Sequence, residues 1–154
     1  MSLAPLFRYP EAPLTIEGED LAAFAKEMAA LDLAGQQATY TATFDLAPSC
    51  SPYLGIHLFG EENRDRARLM VGLKLAYKRL GIDSRIDSNG ELPDHVAEVL
   101  AFAEVDEAEE REELRRFVLL PALTKMNAIL APTANPYRHL VATALRQAAA
   151  GGAS

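Results

Sequence analysis

The chain has 154 residues, of which 49% are hydrophobic and 24% are charged, and its formal net charge at pH 7 is −7. This balance is typical of a globular protein and excludes a disordered or fibrous chain. The negative charge argues against nonspecific nucleic-acid binding, because phosphate contacts need a basic face.

Cysteine usage and hydropathy indicate the cellular compartment in which the protein is expected to act. Cys50 is the single cysteine, so neither an intramolecular disulfide nor a thiolate metal cluster can form. No segment approaches the roughly 20 apolar residues of a membrane-spanning helix, and residues 1–13 lack the apolar core of a signal peptide. We therefore expect a cytoplasmic protein without direct membrane insertion. It should be one domain, residues 1–154, with frayed ends at 1–13 and 148–154.

Apolar residues recur with a period near 3.6 along most of the chain, which predicts an all-α protein. A single bundle of about six to eight helices is the simplest architecture. The first helix is predicted over residues 20–33, and Gly35 should break it. The stretch 36–46 contains Tyr40, Phe44 and several threonines that could form a strand in isolation, but a helix is favoured.

Capping signals delimit the next two helices. Ser51 as a cap and Pro52 as the first helical residue predict a two-turn helix that ends at Gly60. A longer helix over 62–80 has one apolar face and ends at Gly81. Its outer face is expected to be polar and solvated, carrying Arg64, Arg66, Arg68, Lys74 and Lys78.

Turn-forming residues fill the stretch 82–92 and predict a long loop. Pro93 should then open a helix that continues to Ala103. The acidic run 104–113 is most simply a solvated helix start, with docking of a basic peptide as the alternative.

The last third of the chain contains two further helical patterns. Leu119, Leu123, Met126 and Leu130 form an apolar stripe, and Pro121 within it should kink or split the helix. Asn135 and Pro136 repeat the arrangement of a cap followed by a first helical residue, and so predict the last helix.

Chemistry-bearing residues give weak signals for catalysis. None of His57, His95 and His139 has a second ligand at metal-binding spacing, so neither a metal site nor a cofactor is predicted. Asp94 and His95 could in principle act as a general base, but adjacent helical residues point about 100° apart. Cys50 before a helix start could have a lowered pKa, although a structural role in a turn is favoured. A small helical enzyme using these residues is the alternative from another class, and no catalytic residue is assigned.

Three local patterns occur in a fixed order along the chain. Residues 40–45 read YTATFD, residues 53–60 read YLGIHLFG, and residues 91–95 read ELPDH. They resemble the Y-x-x-T-F-D, Y-L-x-x-H-x-x-G and ELPDH segments of the nitrate reductase molybdenum cofactor assembly chaperones (NarJ type), within the TorD-like chaperones. Leu120-Pro121 and Pro136-Tyr137 also look like the C-terminal half of that family.

The resemblance implies an all-helical assembly chaperone, not an enzyme, that binds the N-terminal segment of the catalytic subunit of nitrate reductase. It would hold the apoenzyme competent for molybdenum cofactor insertion and delay membrane docking until loading is complete. The client could instead be another molybdoenzyme, such as a dimethyl sulfoxide, selenate or perchlorate reductase. A generic helical interaction module is a third reading, and both a monomer and a homodimer are compatible with the sequence.

The residues that carry the resemblance form the predicted client-peptide site: Tyr40, Phe44, Asp45, Tyr53, His57, Glu91, Leu92, Pro93, Asp94 and His95. The expected binding mode is an amphipathic client helix in an apolar groove, with acidic rim residues meeting client Lys or Arg. Replacing Asp94 and His95 with alanine is expected to weaken client binding while leaving the melting temperature nearly unchanged.

Structural readings of the same residues stay open. Tyr53 and His57 are four residues apart and could be a packed pair beside Phe44. Asp45 could cap a turn or pair with a cation. The restricted Leu92-Pro93 bond suits either a helix start or a hinge at the edge of a groove.

Overall fold

The computed structural model describes residues 2–81, 91–105 and 110–151. It confirms the predicted all-α bundle, because these residues contain no strand apart from an isolated bridge between Tyr53 and His95. The helices are α1 (Ala22–Ala29), α2 (Leu33–Phe44), α3 (Leu54–Phe59), α4 (Arg64–Arg79), α5 (Val96–Ala103), α6 (Arg111–Leu114), α7 (Leu120–Leu130) and α8 (Tyr137–Ala150). Within the described ranges, no helix is long and apolar enough to cross a membrane.

The boundary between α1 and α2 differs from the prediction. The Asp32 side chain accepts a hydrogen bond from the Gly35 amide at 2.8 Å and so caps the start of α2. Gly35 therefore lies in the first turn of a helix and does not break one. The helix predicted to reach residue 33 ends earlier, at Ala29, whereas the helical prediction for 36–46 is confirmed up to Phe44.

Helices α3 and α5 both begin later than their prolines suggested. The helix α3 starts at Leu54 and not at Pro52, and α5 starts at Val96 and not at Pro93. The two turns before these helices lie side by side and share backbone hydrogen bonds. Leu54 N donates to Asp94 O at 2.9 Å, and Val96 N donates to Pro52 O at 2.8 Å. This pairing between distant segments replaces the local helix starts.

The long helix α4 agrees with the prediction. Asn63 caps it by accepting from Asp65 N at 2.7 Å, and Gly81 follows its end with a φ of +73°, a conformation that glycine adopts without strain. Leu73 and Tyr77 are buried on its inner face. Of the predicted loop 82–92, residues 82–90 lie outside the described residues, as do residues 106–109 of the acidic run.

Pro121 interrupts the helical run between α6 and α7. Residues Arg115–Leu119 are π-helical, and Leu120 N donates to Arg115 O, five residues earlier. In an α-helix the proline ring would clash with the carbonyl of Phe117, and the wider π turn directly before Pro121 relieves this crowding. The predicted kink or split therefore takes the form of a π segment.

The described residues near both ends of the chain contain regular structure where fraying was expected. Ala4–Phe7 forms a 3-10 turn whose Phe7 is fully buried, so the predicted fraying of residues 1–13 is wrong for the described part of this segment. At the other end α8 continues to Ala150, past the predicted start of fraying at 148. Asn135 caps α8 as predicted, since its Oδ1 accepts from Tyr137 N at 2.9 Å.

The core lies between α7, α8 and the helices that pack on them. The helices α7 and α8 lie along each other, α1 packs on α8, and α3 packs on both α4 and α7. The predicted stripe on α7 is buried. Beside it, an aromatic cluster forms, in which the ring of Phe44 lies 4.9 Å from that of Tyr137 and 5.2 Å from that of Tyr40.

A buried ion pair joins α4 to the turn before α5. Arg66 Nε lies 2.9 Å from Asp94 Oδ2, and the Asp94 side chain is completely buried. The prediction that Arg66 belongs to a solvated outer face of α4 is therefore wrong. The guanidinium and the carboxylate can be buried together because each offsets the desolvation cost of the other.

Gly55 allows this ion pair to approach α3. Its amide donates to Asp94 Oδ2 at 3.1 Å, and a Cβ atom at this position would lie only 2.6 Å from the same oxygen. Any side chain would push the carboxylate out of its place. Three segments of the chain, those around Gly55, Arg66 and Asp94, are thus fixed around one carboxylate.

We predict that Asp94→Ala destabilises the protein by about 3–5 kcal/mol, because the Arg66 guanidinium is left buried without its partner. This reverses the expectation from the sequence that replacing Asp94 leaves the melting temperature unchanged. Urea unfolding followed by circular dichroism measures the effect.

The double variant Arg66→Met/Asp94→Ala serves as the control. It removes both charges and should recover part of the lost stability, since no unpaired ion is left inside. A loss below about 1 kcal/mol for Asp94→Ala would contradict the structural role.

Candidate functional site

A cleft of about 650 Å³ opens between the N-terminal segment, the end of α2 and the turn before α5. Six of the ten predicted site residues line it: Tyr40, Phe44, Asp45, Tyr53, Glu91 and His95. These residues come from three separate stretches of sequence, and the fold brings them together on one surface. The sequence did not point to the other wall of the cleft, which is formed by residues of the segment 5–14.

The N-terminal wall is held by side chains of α2 that bind its backbone. Tyr40 Oη donates to Phe7 O at 2.9 Å, and Gln37 Nε2 donates to Pro10 O at 2.9 Å. Gln36 Oε1 accepts from Leu14 N at 3.1 Å. A proline-rich segment satisfies few of its own backbone groups, so these bonds fix its path.

An ion pair ties the same wall to α5. Arg8 Nη2 lies 2.7 Å from Glu98 Oε1, and the Glu98 side chain is almost fully buried. Both residues line the cleft, and neither was singled out from the sequence. Arg8 fell in a segment expected to fray, and Glu98 looked like an ordinary helical glutamate, so no local signal marked the pair.

The floor of the cleft contains a contact between two of the sequence patterns. The Tyr53 hydroxyl donates to Glu91 Oε1 at 2.7 Å, and the Tyr53 ring stands edge-on to His95 with 5.5 Å between ring centroids. Burial, together with the hydrogen bond to the Glu91 carboxylate, raises the pKa of Tyr53. The tyrosine therefore stays a neutral donor that orients Glu91.

The lining is acidic. It contains the carboxylates of Glu11, Asp45, Glu91 and Glu98 against the single guanidinium of Arg8. Burial lowers the pKa of His95, so its imidazole is neutral near pH 7 and adds no positive charge. Since Arg8 pairs with Glu98, the uncompensated charge of the lining is negative. Exposed carboxylates beside tyrosine and phenylalanine rings suit a ligand that presents cationic and apolar groups together.

Four predicted residues do not line the cleft. Asp94 is buried, and Pro93 lies in the turn, where its carbonyl accepts from the Tyr77 hydroxyl at 2.7 Å. Leu92 is exposed next to Glu91. His57 Nε2 lies 2.8 Å from Ser51 O, and burial lowers the His57 pKa. The ring that contacts Tyr53 is that of His95, which replaces the predicted pairing with His57.

The arrangement of Asp94 and His95 supports structural roles. The Asp94 carboxylate binds Arg66 and the Gly55 amide, while His95 Nδ1 accepts from Ala97 N at 3.1 Å and caps α5. The nitrogen that would act as a base is thus engaged by the backbone, and the two side chains bind different partners. Among the described residues, no group of three or more His, Cys, Asp or Glu could hold a metal ion.

We expect the stability of the protein to fall more steeply with acidification than it does in a His95→Asn variant. Because the pKa of His95 is lowered below its ordinary 6.5, the unfolded chain binds more protons. This contribution is fully present above about pH 6.5 and is lost as the pH falls towards the folded-state pKa. Protonation also removes the acceptor that caps α5.

Asparagine keeps a capping oxygen at this position but does not titrate. The difference in slope between wild type and His95→Asn should be at most about 1.4 kcal/mol per pH unit. Urea unfolding between pH 7.5 and 5.5 measures it, and identical slopes for the two proteins would count against a neutral, buried His95.

Cys50 is shielded from reaction by its burial. Its side chain is 1% exposed, and burial raises the pKa of the thiol to about 12. We expect the native protein to react with Ellman's reagent at pH 8 no faster than local unfolding exposes the thiol. The urea-unfolded chain should react at once with one equivalent of the reagent. A fast reaction of the native protein would favour a nucleophilic cysteine.

Comparison with known proteins identifies the family. The model of the nitrate reductase delta subunit family matches residues 11–142, a range that contains all three sequence patterns and most of the cleft. A search of the curated proteins finds no match. The family match confirms the resemblance seen in the sequence and supports a chaperone role in nitrate reductase assembly. The chain therefore belongs to the nitrate reductase delta subunit family.

Proposed function

We propose that the protein binds the N-terminal segment of the catalytic subunit of nitrate reductase in the acidic cleft. By holding this segment it would keep the apoenzyme competent for molybdenum cofactor insertion and delay membrane docking until the cofactor is loaded. This chaperone acts in the cytoplasm and performs no turnover of its own.

One observation carries the proposal. Residues from all three family-like patterns, 40–45, 53–60 and 91–95, contribute side chains to the same cleft, although up to 55 positions separate them. Tyr40, Phe44 and Tyr53 supply rings, and Asp45 and Glu91 supply carboxylates. A surface built from distant segments in this way supports a binding role for the patterns.

The chemistry of the cleft favours a peptide with basic and apolar side chains. An amphipathic helix could place its apolar residues against the accessible rings of the cleft, those of Tyr9 and Tyr53, and its Lys or Arg beside Asp45 and Glu11. A dissociation constant near micromolar corresponds to about −8 kcal/mol, which a short peptide can reach and which still permits release.

The predicted residues would act in two ways. Of the six that line the cleft, the more accessible Asp45, Tyr53 and Glu91 would contact the client, and exposed Leu92 would extend the apolar rim beside Glu91. Tyr40, Phe44 and His95 are buried and would shape the cleft from beneath. Asp94 and Pro93 would act indirectly, because they hold the turn that presents Glu91 and His95. His57 would support α3 from outside the cleft.

We predict that Glu11→Gln/Asp45→Asn weakens binding of a peptide with the first 15 residues of the catalytic subunit. Both residues are exposed, so each rim pair should contribute only about two- to fivefold to affinity, and the double variant should bind about four- to 25-fold more weakly. Isothermal titration calorimetry at low salt measures the change in affinity. Added salt should reduce the difference in affinity between wild type and the double variant, because it screens the rim charges.

Glu17→Gln is the matched control, since Glu17 is exposed and does not line the cleft. If the control variant and the cleft variant weakened peptide binding equally, the peptide would not bind in the cleft. Binding to the leader peptide of another molybdoenzyme, with none to nitrate reductase, would change the client. Absence of binding to every leader would contradict the proposed function.

A further inference from the structure

Among the four carboxylates that line the acidic cleft, that of Glu98 is the most buried. Its side chain is 4% exposed, whereas Glu11 and Asp45 are exposed and Glu91 is half-buried. A carboxylate that has lost its water needs a cation or several hydrogen bonds beside it. Solvent and salt screen a buried pair less than a pair at the rim. A cation at Glu98 therefore interacts with its carboxylate more strongly than a cation at Glu11 or Asp45.

The cation beside Glu98 in this structure is Arg8, which belongs to the N-terminal wall. Arg8 Nη2 lies 2.7 Å from Glu98 Oε1, and 30% of the Arg8 side chain is exposed. Both residues line the cleft, so a ligand in the cleft can reach the pair.

The pair between Arg66 and Asp94 offers a comparison within the same protein. Arg66 donates through two nitrogens, Nε at 2.9 Å and Nη2 at 3.4 Å, and the two side chains are 9% and 0% exposed. Arg8 reaches Glu98 through one nitrogen and is the more exposed of the two arginines. A guanidinium can bind a carboxylate with two parallel hydrogen bonds, so the contact of Arg8 uses only part of this capacity. The pair formed by Arg8 is thus the more easily exchanged.

The N-terminal wall has attachments other than this ion pair. Phe7, directly before Arg8, is fully buried, and its carbonyl accepts from Tyr40 Oη. Two residues after Arg8, the Pro10 carbonyl accepts from a side chain of α2. The backbone on both sides of Arg8 is therefore fixed, and the Arg8 side chain can turn away from Glu98 without moving the wall.

We propose that Glu98 is a guanidinium subsite for an arginine of the bound client, and that Arg8 occupies this subsite in the free protein. The inference rests on the proposed function and deepens it, because it names one contact of the client. On binding, the client arginine replaces Arg8 on Glu98, and Arg8 turns towards solvent. One ion pair is exchanged for another, so the buried carboxylate keeps a cation throughout.

Arginine fits this subsite better than lysine does. A guanidinium is planar, weakly hydrated and able to stack on aromatic rings, whereas an ammonium is compact and strongly hydrated. The ring of Tyr53 lines the same cleft. Burial lowers the pKa of His95, which also lines the cleft, so no charged imidazole competes with the guanidinium for the carboxylate.

The exchange lowers the affinity for the client. An arginine that met a buried carboxylate without a cation would contribute strongly to binding. Because the client arginine must displace Arg8, it gains only the difference between the two ion pairs. Arg8 thereby weakens binding and favours release of the client.

Chemical rescue tests the subsite without a client. Arg8→Ala removes the internal occupant, so its melting temperature should fall. Ethylguanidinium chloride at about 50 mM should then raise the melting temperature of Arg8→Ala by about 2 °C or more relative to its effect on wild type. Ethylammonium should raise it less. If Arg8→Ala does not fold, Arg8→Gln, which keeps a polar side chain, takes its place.

Arg8→Ala/Glu98→Gln is the control for the rescue. It has no carboxylate at the subsite and should not respond to ethylguanidinium beyond the response of wild type. An equal response of Arg8→Ala and this double variant would overturn the subsite.

Isothermal titration calorimetry then tests the client. The peptide with the first 15 residues of the catalytic subunit is compared with versions in which each arginine in turn is replaced by glutamine. Arg8→Ala should bind the unchanged peptide about tenfold more tightly than wild type does, because no displacement is needed. One of the substituted peptides should lose this gain. Arg138→Ala breaks an ion pair with Glu27 outside the cleft and should bind the peptide like wild type.

The outcomes separate this inference from the proposed function. Rescue by ethylguanidinium with equal peptide affinities of Arg8→Ala and wild type would mean that the client does not use the subsite, and would overturn the inference. A gain in affinity that survives every arginine substitution would also overturn it. Absence of peptide binding to wild type and to every variant would contradict the proposed function itself, and the inference with it, even if the rescue succeeds.

Discussion

The buried carboxylate of Asp94 holds together the parts of the molecule from which the cleft is built. It binds the Arg66 guanidinium of α4 and the Gly55 amide of α3, and the turn that carries it leads directly into α5. A charge in the interior is tolerated only with its partner and its hydrogen bonds in place. The relative position of these three helices is therefore specified by electrostatics as well as by apolar packing.

The cleft follows from this arrangement. With the Asp94 turn fixed against α3, the backbone pairing of the two turns sets Tyr53 beside His95 and within reach of Glu91. Helix α2 then supplies the rings of Tyr40 and Phe44 beneath the cleft, and Arg8 joins the N-terminal segment to α5. Tyr40, Tyr53 and His95 both line the cleft and hold its parts in position, so binding and stability are linked at this site.

The sequence could predict features that depend on neighbouring residues. The extent of α4, its end near Gly81 and the Asn135 cap of α8 are encoded within a few positions and were found. It could not reveal the later starts of α3 and α5, because these depend on hydrogen bonds between segments some 40 positions apart. Arg66 carried the same periodic signal as its exposed neighbours, and only the fold pairs it with Asp94. The sequence patterns identified half of the cleft, while its N-terminal wall lacked any periodic signal.

The way the N-terminal wall is attached bears on how such a protein can evolve. Side chains of helix α2 bind this segment mainly at its main-chain atoms, which are the carbonyls of Phe7 and Pro10 and the amide of Leu14. Main-chain atoms are the same in nearly every residue type, so substitutions at Tyr9, Glu11 or Ala12 would leave these hydrogen bonds intact. Mutation could then change the charge and polarity of one side of the cleft without disturbing the hydrogen bonds that hold the segment. A descendant lineage could acquire a new client by altering a few exposed positions.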